Sequence, residues 1–95
     1  MDNKKIITNI GKIPISELNR GLPIIESLFK IKDSNERKYR LVLYNKEGMK
    51  VDSSILMSGR DMWENWEYDM TLLMGGKLER ILLGATIAIE TEETK

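Results

Sequence analysis

The chain has no cysteine and no histidine. The first absence removes disulfides, thiolate nucleophiles and cysteine zinc sites. The second removes the commonest general base and the commonest transition-metal ligand. Aromatic residues are scarce, at two tryptophans, three tyrosines and one phenylalanine. No apolar run approaches the ~18 residues that a membrane span needs. The start, Met1-Asp2-Asn3-Lys4-Lys5, leads into a mixed segment and not an apolar signal core, so no export signal is read and intracellular residence is expected. Neither a nucleophile–base pair nor a metal constellation can be assembled, so the chain reads as a binding protein without enzymatic activity, cofactor or metal.

What is present is ordinary globular composition. Hydrophobic residues make up 41% and charged residues 32% of 95 positions, enough for one domain with a thin core. Fifteen basic and fifteen acidic residues give zero net charge. They are unevenly spread: residues 30–50 hold seven basic against three acidic, whereas residues 61–74 hold four acidic and no basic.

Residues 1–21 read as a lead-in segment, with Ile6, Ile7 and Ile10 on a short strand and a helical turn from Ser16 to Gly21. Residues 22–32 read as a strand with Ile25, Phe29 and Ile31 on one face. Residues 38–45 give the clearest alternation: Tyr39, Leu41 and Leu43 point one way, and Arg40, Val42 and Tyr44 the other. Asn45-Lys46-Glu47-Gly48 is a hairpin loop in which Gly48 supplies positive φ. A return strand over 49–57 carries a bulge or bend at Asp52-Ser53-Ser54.

Over 61–74 the period becomes helical. Met62, Trp63, Trp66, Met70, Leu73 and Met74 share an arc of roughly 120°. Ser58 or Asp61 caps the start, and Gly75-Gly76 ends the helix. Residues 77–83 and 85–90 read as closing strands around Gly84, before a flexible acidic tail at 91–95. The expected class is therefore mostly β with one helix (α+β): a single domain over 1–95, its core at 22–90.

This order of elements, with a helix between strands 3 and 4, is that of an OB-like five-stranded Greek-key barrel. The text I-S-E-L…G, L-P-I-I-E-S-L-F-K-I-K-D and K-Y-R-L-V-L-Y-N-K-E-G, within residues 15–60, resembles small single-stranded-DNA-binding OB domains. The resemblance implies a shallow groove across the strands, with rings stacking on bases and cations along the phosphates. The scarce aromatics and neutral net charge depart from that pattern and confine any such contact to one face.

Lys30, Lys32, Arg40 and Tyr44 are the candidate contact face for single-stranded DNA or RNA. Arg37, Lys38, Lys46 and Arg60 are its peripheral cations. The same residues also fit a solvated outer face. Arg60 suits either a phosphate at the helix start or an ion pair with Asp61 or Glu64. Trp63 and Trp66 suit core packing, or, if exposed, a partner surface. That second option supports the rival reading, a protein-interaction module acting through the Trp/Met-rich helix or an exposed strand edge. A domain this small also gains stability from a shared face, as in a homodimer. Asp61, Glu64, Glu67 and Asp69 lack the loop spacing of a calcium site, and Gly75-Gly76-Lys77 lacks the rest of a phosphate loop.

Overall fold

A computed structural model describes residues 5–15, 22–77 and 82–94. In chain order the elements are β1 (Lys5–Pro14), α1 (Leu22–Phe29), β2 (Lys38–Tyr44), β3 (Lys50–Ser53), β4 (Met57–Ser58), α2 (Gly59–Met74) and β5 (Thr86–Thr94). The five strands form one antiparallel sheet in the order β1-β5-β2-β3, with β4 also paired to β2. The class is α+β. The described sheet is an open path ending on β1 and β3, and it is not closed into a barrel.

β2 and β5 occupy the centre because their side chains are apolar in the right phase. Leu41 and Leu43 on β2 and Ile87 and Ile89 on β5 are fully buried on one face, in the core cluster with Tyr39. On the opposite face, Val42 and Ala88 stand across from each other and are also buried. The helices cover the first face. α2 contributes Met62, Met70 and Leu73 to the core, with Trp63, Trp66 and Met74 partly buried against it. That is the arc expected from the sequence. Ser58 caps the helix, its hydroxyl accepting from the Asp61 amide at 3.1 Å.

The β2–β3 turn also follows expectation. Gly48 has φ 82°, and the Asn45 carboxamide oxygen accepts from the amides of Glu47 and Met49. The return strand is broken in two. At Ser54 the backbone amide donates to the Leu41 carbonyl at 2.8 Å and the hydroxyl accepts from the Leu41 amide at 2.9 Å. The side chain thus replaces a rung of the ladder, and residues 54–56 leave the sheet before β4 rejoins it.

Three expectations are corrected. Residues 22–29 are helix α1 and not a strand. Apolar residues occupy both strand phases there, so alternation does not discriminate, whereas Ile24, Leu28 and Ile31 at i, i+4, i+7 are the buried set. Pro23, at the second helical position, suits a helix start. Of the strand expected at 77–83, residues 78–81 lie outside the described residues, and the described remainder is not strand: Leu82 is helical and Leu83-Gly84 form a turn. Finally, β5 runs on to Thr94 against β1, where a frayed tail was expected. Thr91 is fully buried there, its hydroxyl donating to the Lys38 carbonyl at 2.8 Å. The main helix, α2, therefore falls between the fourth and fifth described strands. The helical turn expected at 16–21 lies outside the described residues.

The seam between α1 and α2 depends on one glycine. A Cβ on Gly59 would sit 2.0 Å from the Ile31 carbonyl oxygen. G59A is expected to lower stability by about 1–3 kcal/mol, because backbone must move to admit the methyl group. An unchanged urea midpoint would show that the Ile31 turn does not close on α2.

Candidate functional site

The eight cationic and aromatic residues singled out by the sequence fall into three places. Lys38, Arg40 and Tyr44 share the β2 face that points away from α2. Lys30 and Lys32 are not on a strand. They lie in the turn after α1, near the start of α2, where the Arg60 amide donates to the Ser34 carbonyl at 3.3 Å. Arg37 and Lys38 are exposed at the same end, Lys38 pairing with Ser58. Lys46 lies in the β2–β3 turn beside Gly84. Lys38 and Tyr44 stand at opposite ends of β2, about 20 Å apart at 3.3 Å per residue.

Arg40 and Tyr44 meet an anion of the chain itself. Glu90, 2% exposed, lies across from Arg40 on β5. It accepts a hydrogen bond from the Tyr44 hydroxyl, and its other oxygen is 4.0 Å from Arg40 Nε. A buried carboxylate needs such donors, because desolvation without them costs several kcal/mol. The hydrogen bond to Glu90, aided by burial and by the Glu90 charge, pushes the Tyr44 phenol up to about 12, against a lowering effect of Arg40. The cation and ring expected to meet a phosphate and a base are thus engaged within the sheet.

At the other end, Lys32 pairs with Asp33 at 3.2 Å and lies 5.0 Å from the centre of the Phe29 ring. Arg60 pairs with Glu64 at 3.5 Å, which is the ion-pair option for this residue. Asp33 and both members of the Arg60–Glu64 pair are exposed, so these pairs contribute little to stability. Trp63 packs edge-on to Phe29 at 6.1 Å and, like Trp66, is partly buried, so the two rings form no open stacking platform.

The structure brings together a different set of residues on the α2 side. The 54–56 linker and the flank of α2 enclose a pocket of about 260 Å³ lined by Asp52, Ser53, Ser54, Ile55, Tyr68, Asp69, Leu72 and Leu73. Its mouth is apolar and exposed: Ile55 is 79%, Tyr68 65% and Leu72 59% accessible, with Leu56 next to Ile55 also exposed. Its floor is Leu73 and Asp69, both buried. One Asp69 carboxylate oxygen is buried without a hydrogen-bond partner among the described residues, and burial raises its pKa above the usual carboxylate value. At the rim, Asp52 is different. It pairs with Lys77 at 3.1 Å and accepts from the Ser53 amide, and these contacts lower its pKa.

The sequence carried a signal for Asp69. It lies seven residues after Met62 and four before Leu73, on the buried side of α2, where an acid interrupts an apolar arc. Among the described residues there is no group of three or more acidic side chains placed to hold a metal ion, and no helix long and apolar enough to cross a membrane.

The Tyr44–Glu90 contact predicts a pH dependence. The folded pKa of Tyr44 lies above the unfolded value near 10, so its contribution is complete below pH 10 and is lost as pH rises toward 12. Phenolate absorbance should show one tyrosine ionising near 12 in the folded protein. Y44F should remove that transition and cost about 1–3 kcal/mol at neutral pH, because Glu90 stays buried with one donor fewer. Ionisation of Tyr44 at its ordinary value would contradict the contact.

No protein-family model matches the chain, and neither a curated protein nor a solved structure matches it significantly, so function must be argued from the surface itself.

Proposed function

We propose that this chain is a non-catalytic protein-binding module that engages its partner through the 54–56 linker and the exposed flank of α2. The observation that carries this reading is the ring of exposed apolar side chains, Ile55, Tyr68 and Leu72, around one pocket. Scattered apolar residues are normal on a surface, but several around a concavity mark interaction sites. The absence of histidine and cysteine supports a non-catalytic role.

A second reading is binding of single-stranded DNA or RNA, on an OB-type Greek-key barrel. It is supported by the gathering of Lys30, Lys32, Arg37, Lys38 and Arg60 about the start of α2. We place it second for two reasons. Asp33, Glu36, Asp61 and Glu64 lie among those five cations, leaving a local balance of only +1. Counterion release scales with the phosphates neutralised, so a nearly balanced patch binds weakly. In addition, Arg40 and Tyr44 contact Glu90.

The two readings separate by paired variants. A protein captured by the folded chain, once purified and titrated, should bind I55D or L72D at least tenfold more weakly than the unsubstituted chain. The urea midpoints should be nearly unchanged, since both positions are exposed. Capture of oligonucleotides that is abolished by K30E with K38E and untouched by L72D would overturn the first reading in favour of the second.

A further inference from the structure

The pocket itself limits what the partner can insert. It is smaller than the ~300–1,000 Å³ typical of drug-sized ligand sites, so it suits a single side chain. Ile55, Tyr68, Leu72 and Leu73 make its walls apolar, which fits an aliphatic stem and not a fully hydrated ion. The floor carries Asp69, 9% exposed, with a carboxylate oxygen that no donor among the described residues satisfies. Buried acceptors without a donor are rare in folded proteins and cost about 1–3 kcal/mol each. Lys77, the basic residue following the helix, is already paired with Asp52 at the rim.

After Arg60, the flanking helix carries charge of one sign. From Asp61 to Met74 the helix carries Asp61, Glu64, Glu67 and Asp69 and no basic residue. A neutral apolar side chain would fill the walls and leave Asp69 unsatisfied. An acidic one would be repelled. A cation on an aliphatic stem satisfies both walls and floor.

We infer that the pocket between the 54–56 linker and α2 receives one lysine or arginine side chain of the partner protein, flanked by apolar residues that cover Ile55 and Leu72. This inference rests on the protein-binding reading above and specifies the chemistry of its partner. The aliphatic stem lies along Leu72 and Leu73, and the ammonium or guanidinium donates to Asp69. Tyr68 lines the mouth as a half-open ring on which a guanidinium can lie. The apolar rim extends beyond the pocket to Leu56, more surface than a free small amine would cover. This favours a basic side chain carried on a protein segment.

The test uses the full chain and three short probes, acetyl-Leu-Lys-Leu-amide, its norleucine counterpart and n-butylammonium, followed by carboxyl and methyl NMR. The lysine peptide should shift the Asp69 carboxyl and Leu72 methyl signals saturably, and bind at least tenfold more tightly than the norleucine peptide. D69N should erase that discrimination while leaving the fold intact. D69L gives a second variant that removes the buried acceptor altogether, and it should be at least as stable as the unsubstituted chain yet show no preference for lysine. Equal binding of the lysine and norleucine peptides, or discrimination that survives D69N, overturns the inference. Butylammonium binding as tightly as the lysine peptide also overturns it, assigning the pocket to free amines. Partner binding lost in L72D but unaffected by D69N would leave the protein-binding reading standing and remove only the basic anchor. Lysine discrimination at Asp69 together with partner binding indifferent to I55D and L72D would do the reverse.

Discussion

Everything in this fold hangs on the pairing of β2 with β5. Six residue pairs join them, from Tyr39–Thr91 to Tyr44–Thr86. Within the described sheet β1 pairs with β5, while β3 and β4 pair with β2. α2 packs chiefly on β2. The pair is buried on both faces. Leu41, Leu43, Ile87 and Ile89 lie against the helices, each contributing about 1.5–3 kcal/mol of apolar burial. Val42, Ala88 and Glu90 are enclosed on the other side. A strand pair closed on both faces leaves little of its centre for a ligand groove. An open apolar surface with a concavity lies where residues 54–56 leave the sheet beside α2.

That departure has a local cause. Ser54 uses both its amide and its hydroxyl on Leu41, so the strand stops pairing by its backbone alone and the chain can leave. Ile55 and Leu56 are then projected into solvent, and Met57 returns to the core. Ser54 and Ile55 thus both break the edge strand and line the pocket. The break also shortens the edge to four residues in β3, which include Lys50 and Asp52, a common protection against edge-to-edge pairing.

Elements whose pattern had one interpretation were legible in the sequence. β2 alternates over seven residues, the Asn45–Gly48 turn has its required glycine, and α2 has a helical arc with a cap and a stop. The failures had specific causes. In residues 22–31 apolar side chains fill both strand and helix phases, so α1 could not be told from a strand. Charged residues at the end of β5 looked like a tail, because pairing with β1 is a tertiary fact that local composition does not reveal. The candidate site was less legible than the fold. Arg40 and Tyr44 share a face as alternation requires, but their contact with Glu90 comes from a strand 46 residues away. Asp69 was visible as an acid near an apolar arc, yet its lack of a donor is evident only once the 54–56 linker is placed beside it.

The β2–β5 pair is thus the closed framework of the molecule, and the binding surface we propose lies on the α2 side. Native-state amide hydrogen exchange, residue by residue, tests it most directly. The amides of Leu41–Leu43 and Ile87–Ile89 that bond within the sheet should exchange only through global unfolding, while Ile55 and Leu56 exchange rapidly. Fast local exchange along β2 or β5 would mean that the centre of the sheet opens to solvent, and the account would fail.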